Sequence, residues 1–135
     1  MSAHVPNAAA DEPLTVTLGA EALRTFCREL LQSLGTPESH ARCVADSLIA
    51  ANVRGVDSHG IQMLATYIQQ IRAGGLDVAA EGRVEREDGV CLRYHGLNGL
   101  GQVVSDRCTD HALRIAGRLG VAVVVANHSN HFGAG

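Results

Sequence analysis

The chain has 135 residues, of which 46% are apolar and 19% charged, and this composition is typical of a folded globular protein that buries a sizeable core. Its formal net charge of -3 provides no positive field for a nucleic-acid backbone, so no nucleic-acid partner is expected. The chain contains no apolar run of membrane-spanning length, and residues 1–13 lack the apolar stretch of a signal peptide, so we predict a flexible tail there and no membrane partner.

Three amphipathic helices are predicted first, because apolar residues recur every three or four positions over 21–34, 36–53 and 57–74. Thr36 is predicted as the N-cap of the second helix, with Pro37 at its first position. Asp57 or Ser58 can cap the third helix, which glycines end. Together these elements predict a helical amino-terminal region over 14–80.

The pattern changes after this region. The runs Arg83–Glu87 and Val90–Tyr94 flank Asp88-Gly89, and this pair between two strand-like runs predicts a hairpin. A fourth helix is predicted from Gly101 to Leu119, ended by Gly120. The sequence thus predicts an α+β fold.

A strand is predicted over Val121–Ala126. Its apolar residues do not alternate with polar ones, which is typical of a central strand covered on both faces. Residues 81–135 are therefore predicted to begin an α/β domain.

Four cysteines, Cys27, Cys43, Cys91 and Cys108, are far apart and form no C-x-x-C pair. Most of them occupy apolar positions of predicted elements, which favours buried reduced thiols over a zinc site or a disulfide framework. We therefore predict a cytoplasmic protein.

The junction between the second and third predicted helices is the first candidate site. Arg54, Asp57, Ser58 and His59 bring a cation, a carboxylate, a hydroxyl and an imidazole together within six positions. If Ser58 caps the helix, His59 lies in the first turn, where backbone N–H groups favour an anion. The alternative is an ordinary helix cap beside a surface histidine and a solvated arginine.

The second candidate site follows the last predicted strand. His128 and His131 precede the small residues Gly133-Ala134-Gly135, and ligands bind beyond the carboxyl ends of strands in open α/β folds. Glycines there let backbone N–H groups approach a phosphate or a planar ring. The alternatives are a glycine turn with exposed imidazoles and, more weakly, a zinc site through both histidines. No third ligand stands at recognisable spacing, so no metal is predicted.

Three segments carry a resemblance to a known family: Arg54–Ile61, the helix ending from Tyr67-Ile68 to Gly74-Gly75, and Gly120–Val125 followed by Ser129–Ala134. They resemble the malate/L-lactate dehydrogenase family, which also includes sulfolactate, ureidoglycolate and piperideine carboxylate enzymes. The resemblance runs from about Leu14 to Gly135. It implies that residues 81–135 begin a larger, non-Rossmann cofactor-binding domain.

The resemblance also implies an activity, a reversible hydride transfer between NAD or NADP and a small 2-hydroxy or 2-oxo acid. Ser58 and His59 match the family's serine-histidine pair, which relays a proton, and Arg54 is placed to attract the substrate carboxylate. His131 matches the histidine of the family's cofactor loop, which is the acid/base in some members, so both histidines stay open as candidates. The residues implied to lie against the cofactor are His131, Phe132, Gly133, Ala134 and Gly135.

Two departures from the family pattern bear on these implications. Met63 stands where the family often has arginine, which leaves the preference between NAD and NADP open. Family members run to two or three domains and form homodimers, so the resemblance implies a truncated chain that is inactive alone. The alternative is an inactive fragment or interaction module that co-assembles with a full-length subunit.

Overall fold

The architecture of residues 16–134, which the computed structural model describes, is α+β, and the predicted fold class is confirmed. The elements in chain order are α1 (Ala20–Ser33), α2 (Glu38–Val53), a short 3-10 helix (Asp57–His59), α3 (Met63–Arg72), β1 (Arg83–Asp88), β2 (Cys91–Gly99), α4 (Gly101–Leu119) and β3 (Val123–Ser129). The predicted tail over 1–13 and Gly135 lie outside the described residues. None of the described helices is long and apolar enough to cross a membrane.

The main core lies between α1, α2 and α3 and is largely aliphatic. Leu31, Leu48 and Ile49 are its largest fully buried side chains, and Tyr67 of α3 is its one aromatic ring. Leu100 and Val103, at the start of α4, are buried in the same cluster. The start of α4 is therefore fixed against the helical part of the chain, which matters for the site described below.

The predicted capping of α2 by Thr36 is wrong. The N-cap is Pro37, and Thr36 is buried with no hydrogen-bond partner for its hydroxyl. Its backbone N–H instead donates to Leu31 O at 3.1 Å, and Gly35 before it has a φ of 86°. Thr36 is thus part of the left-handed turn that ends α1. It was predicted to cap α2 because the sequence pattern does not show that this turn includes it.

The hairpin is confirmed, with its turn one residue further along than predicted. β1 and β2 are antiparallel, and the last pair, Asp88 with Cys91, flanks a two-residue turn at Gly89-Val90. Gly89 has a φ of 57°, as the first central residue of a tight hairpin turn requires. The predicted helix α4 is confirmed over Gly101–Leu119 and ends at Gly120, whose φ is 83°.

The prediction that the last strand is covered on both faces is wrong for the described residues. β3 pairs in parallel with β2 and lies at the edge of a three-stranded sheet. Ala122 and Val124 pack on the cluster beneath α4, whereas the side chains of Val123 and Val125 are 50% and 57% exposed. The apolar run indicates two buried faces, but within residues 16–134 only α4 covers the strand.

Leu48 tests whether the helical core carries the stability of the fold. Because Leu48 is fully buried, Leu48→Ala should lower the free energy of unfolding by about 2–5 kcal/mol. Leu113→Ala is the matched control, since Leu113 is 68% exposed and its truncation should change stability by less than about 0.5 kcal/mol. Urea denaturation of the three proteins measures both effects. Equal losses in the two variants would contradict the assignment of the core.

Candidate functional site

The two candidate sites predicted from the sequence lie together in the structure. The rings of His59 and His131 have their centroids 5.3 Å apart and are tilted by 34°. The Arg54 guanidinium donates a hydrogen bond of 3.2 Å to Ala134 O, 80 positions along the chain. The junction after α2 and the loop after β3 therefore form one site.

The junction is built differently from the prediction. Asp57, Ser58 and His59 form the 3-10 helix and α3 begins only at Met63, so neither Asp57 nor Ser58 caps α3. His59 consequently does not lie in the first turn of an α-helix. The Ser58 hydroxyl and His59 Nδ1 are instead 2.9 Å apart, within hydrogen-bond distance. The pairing of Ser58 with His59 is thus direct and local.

Asn52 holds this junction in place. Its amide Nδ2 donates to the Asp57 carboxylate at 2.6 Å, and its Oδ1 accepts from the backbone N–H of Ile61 at 2.7 Å. The Asn52 amide lies so close to Gly60 that a Cβ at position 60 would be 2.3 Å from the amide oxygen, so any other residue there would displace Asn52 from its hydrogen bonds. The sequence analysis assigns no role to Asn52 or Gly60. An amide is one of the few short side chains that can donate and accept at once.

His131 is held by two residues that were not predicted from the sequence to belong to the site. Its Nδ1 is 2.7 Å from the Tyr67 hydroxyl, and Gln102 Nε2 donates to the same hydroxyl at 2.7 Å. Tyr67 and Gln102 are buried, with side chains 2% and 4% exposed. A tyrosine in an aliphatic helix and a glutamine among apolar residues at the start of α4 are the signals that could have been noticed, because buried polar groups need partners.

The electrostatics of the site favour neutral groups. Burial lowers the pKa of His131 from its usual 6.5, and the neighbouring His59 lowers the same pKa further. His131 is exposed as a whole residue, but its Nδ1 edge is covered by the buried Tyr67. Burial also raises the pKa of the Tyr67 phenol above 10, so the hydroxyl remains protonated near neutral pH.

The effect of His59 on His131 can be measured. His59→Asn removes the neighbouring imidazole that lowers the pKa of His131, so this pKa should rise toward its usual value. The rise should be partial, because burial continues to act. NMR titration of the imidazole signals measures the change. An unchanged or lower pKa in the variant would mean that the two rings do not interact.

Two glycines let the cofactor loop predicted from the sequence pack against the helices. A Cβ on Gly101 would lie 2.3 Å from the carbonyl oxygens of both Asn130 and His131. Gly133 has a φ of 91°, and a Cβ there would lie 2.7 Å from Ser47 Oγ. At Gly101 the neighbours are backbone atoms, which leave no room for a side chain, whereas at Gly133 the positive φ disfavours other residues and a Cβ would displace the Ser47 hydroxyl.

An open groove of about 420 Å³ lies beside this loop. Phe132, whose side chain is 57% exposed, forms one border, and Val124 and Ala126 of β3 contribute apolar surface. Ser105 and Ser129 add hydroxyl groups. An exposed aromatic ring, small apolar residues and a few hydroxyls fit a flat ring with polar edges.

His95, His111 and His128 do not extend the site. His128 stacks on His95 at 4.1 Å, and His111 lies beside Tyr94. His128 and His131 therefore have different neighbours, contrary to the alternative of a shared zinc ion. Over residues 16–134, no group of three or more His, Cys, Asp or Glu side chains is arranged to hold a metal ion.

Comparison with known proteins identifies relatives of this chain. The family model described as malate/L-lactate dehydrogenase matches residues 18–135. The chain is 41% identical over 111 residues to a malate dehydrogenase of Pyrococcus horikoshii, covering 82% of this chain and 31% of the relative. It is 35% identical over 118 residues to an NAD(+) ureidoglycolate dehydrogenase of Escherichia coli, covering 87% and 34%.

Solved structures agree with the sequence comparison. The structure of malate dehydrogenase from Pyrococcus horikoshii superposes with a TM-score of 0.85 at 39% identity, covering 87% of this chain and 34% of that one. The chain spans about a third of the length of the curated relatives it matches.

Proposed function

Because the chain belongs to the malate/L-lactate dehydrogenase family, we propose that it contributes to an active site that transfers hydride between NAD or NADP and a small 2-hydroxy or 2-oxo acid. The observation that carries this proposal is the meeting of His59 and His131, with ring centroids 5.3 Å apart. Two imidazoles from distant segments, one of them anchored by a buried tyrosine, are groups that can move a proton near neutral pH.

In the proposed reaction, the nicotinamide supplies or accepts the hydride, and the protein provides orientation and proton transfer. His131 is anchored through Nδ1, which leaves Nε2 to exchange a proton with the oxygen on the reacting carbon. Its lowered pKa keeps it neutral at pH 7, so it is ready to act as a base when a hydroxy acid is oxidised. His59 with Ser58 is the second candidate for this proton transfer.

Arg54 is proposed to bind the substrate carboxylate. A guanidinium has five N–H donors, of which one bonds Ala134 O, so others can bind a carboxylate in the bidentate manner that arginine favours. The bond to Ala134 also places this cation beside the loop that is proposed to meet the cofactor. That loop comprises His131, Phe132, Gly133, Ala134 and Gly135, the last of which lies outside the described residues.

The proposal also covers the two regions of the chain and its location in the cytoplasm. We propose that residues 14–80 form a helical region and that residues 81–135 begin the cofactor-binding domain. The four cysteines are free thiols, which supports a reducing cytoplasm.

Binding of the reduced cofactors tests the proposal. The chain has no tryptophan, so the fluorescence of the nicotinamide can be followed without interference as NADH or NADPH is added. Binding that Gly133→Val abolishes and Leu113→Ala preserves would support the loop as part of the site, because only the first substitution fills space next to Ser47. Turnover with malate, lactate, sulfolactate and ureidoglycolate then tests the activity. Failure to bind either cofactor in a folded protein would contradict the proposal.

A second candidate function rests on the exposed apolar face of β3. Val121, Val123 and Val125 are all at least half exposed, and β3 has one unpaired edge within the described residues. Such a face favours association, as the interaction-module alternative requires, and the family homodimer is the simplest form of it. Light scattering coupled to gel filtration distinguishes a monomer from a dimer. A monomer at high concentration would speak against self-association.

A further inference from the structure

Gln102 carries a feature that packing alone does not explain. Its side chain is buried at the start of α4, and its amide nitrogen donates to the Tyr67 hydroxyl at 2.7 Å. Its amide oxygen is also buried but has no hydrogen-bond partner among residues 16–134. A buried acceptor without a partner destabilises a folded protein, so its presence in this position calls for a physical reason.

The direction of the hydrogen bonds fixes the proton on His131. Tyr67 O accepts from Gln102, and the hydrogen of the buried Tyr67 hydroxyl needs an acceptor of its own. His131 Nδ1, 2.7 Å away, is the acceptor within hydrogen-bond distance among residues 16–134, which assigns the hydroxyl hydrogen to Nδ1. A neutral imidazole has one nitrogen that donates and one that accepts. Because Nδ1 accepts, Nε2 carries the proton, and Nε2 is the nitrogen left to meet a substrate.

Protonated His131 requires the opposite direction. Both ring nitrogens of an imidazolium are donors, so Nδ1–H then donates to the Tyr67 oxygen. The Tyr67 hydrogen loses its acceptor on the ring and needs another. Rotation of the Gln102 amide by half a turn brings the unpartnered oxygen to the position of the nitrogen, because the two ends of an amide are nearly equal in size.

We propose that Gln102 is a positioning residue that acts on His131 through Tyr67. With its nitrogen toward Tyr67, it directs the proton of neutral His131 to Nε2, and with its oxygen toward Tyr67, it completes the hydrogen bonds of the imidazolium. The significance for catalysis rests on the proposed function, whereas the hydrogen-bond relay itself does not. Among residues 16–134, the titratable groups in contact with His131 are His59 of the 3-10 helix and Tyr67 of α3, and the nearest recorded cation is Arg54, which bonds Ala134 O in the same loop.

Two substitutions separate this role from packing. In Gln102→Glu, the carboxylate can only accept, so Tyr67 should donate to it and His131 should carry its neutral proton on Nδ1. The pKa of His131 should rise by about one unit or more. In Gln102→Met, which is similar in size and apolar, the neutral form should keep its Nε2 proton, but the imidazolium loses its relay and the pKa should fall by about half a unit to one unit.

The measurement is NMR of protein labelled with ¹⁵N at histidine, because the two ring-nitrogen shifts report the tautomer and their titration reports the pKa. Tyr67→Phe provides the control: in that background the tautomer should no longer respond to Gln102→Glu. A wild-type His131 with its neutral proton on Nδ1 overturns the proposal, and this outcome is available even if a variant fails to fold. Shifts of the pKa in the same direction in both variants would indicate a packing effect and also overturn it.

These outcomes are independent of turnover. If the tautomer responds as expected but no 2-hydroxy acid is oxidised, the proposed function fails and the relay stands. If acids are oxidised and the tautomer does not respond, the relay fails and the proposed function stands. Where both hold, the pH profile of kcat should move up in Gln102→Glu and down in Gln102→Met, following the NMR titrations.

Discussion

In an assembly that turns over, whether this chain alone or this chain with a full-length subunit, replacing His131 with asparagine is expected to lower kcat for oxidation of the preferred 2-hydroxy acid by about a hundredfold to ten-thousandfold, the usual loss when an acid/base group is removed. Asparagine has no group that titrates near neutral pH. Its amide oxygen can still accept a hydrogen bond from the Tyr67 hydroxyl, which in the wild type lies 2.7 Å from His131 Nδ1. The loop should therefore remain anchored. Steady-state kinetics with NAD and NADP, together with cofactor binding by nicotinamide fluorescence, measures the two effects separately.

His128→Asn is the matched control for this substitution. His128 lies in the same segment, stacks on His95 outside the site, and has a φ of 48°, a backbone conformation that asparagine accepts well. Its replacement should leave kcat within about twofold of the wild type, because surface substitutions away from a functional site have small effects.

The same assay decides between the two candidate histidines. If His131→Asn keeps its activity and His59→Asn loses it, the proton transfer belongs to His59 with Ser58. The pH profile adds a second criterion. Because burial lowers the pKa of His131 from its usual 6.5, oxidation that depends on His131 as a base should rise with pH, and the midpoint of the rise should lie below 6.5.

Local signals account for the parts of the fold that the sequence predicts well. The helix over Gly101–Leu119 has a long apolar stripe and a glycine at its end, and Gly120 adopts the left-handed conformation that this signal requires. The hairpin depends on a few adjacent residues around Gly89 in the same way. In each case, the residues that determine the structure are neighbours in the chain.

The predictions that fail depend on tertiary context. Thr36 is taken up by the turn that ends α1, and Ser58 bonds its neighbour His59 in a 3-10 helix, although both residue types favour helix caps. The run after Gly120 is apolar enough for a strand that is buried on both faces. Within residues 16–134, however, only α4 packs on this strand, and its second face is exposed.

The candidate site shows the same limit. Arg54 and His59 could be singled out because they cluster in sequence, and His131 because it precedes a glycine-rich segment. Tyr67 and Gln102 could not be found in this way, because their roles come from hydrogen bonds between distant parts of the chain. Tyr67 is 64 positions from His131 and 35 positions from Gln102. Their chemical types are common in helices, and only the folded structure brings them to one imidazole.

The site also depends on a close approach of two backbones, which makes Gly101 the position where the smallest substitution should have the largest structural effect. The carbonyl groups of Asn130 and His131 cross the first turn of α4 at Gly101, where a Cβ would lie 2.3 Å from both oxygens. These neighbours are backbone atoms, which cannot rotate away as a side chain can. Relief therefore requires the loop to leave the helix.

Gly101→Ala is expected to lower the free energy of unfolding by about 1–3 kcal/mol, the range for overpacking a buried position, even though alanine favours a helix more than glycine does. Gly117→Ala in the same helix is the matched control, because a Cβ there meets nothing within 4 Å and helix propensity alone should raise stability by up to about 1 kcal/mol. Urea denaturation should thus show that the same glycine-to-alanine substitution lowers the free energy of unfolding at position 101 and raises it at position 117. Displacement of the loop in Gly101→Ala should also shift the His131 ring signals in NMR, because His131 would lose its hydrogen bond with Tyr67. A Gly101→Ala protein as stable as Gly117→Ala, with unchanged His131 signals, would mean that the loop does not rest on α4 and that the anchoring of His131 has another origin.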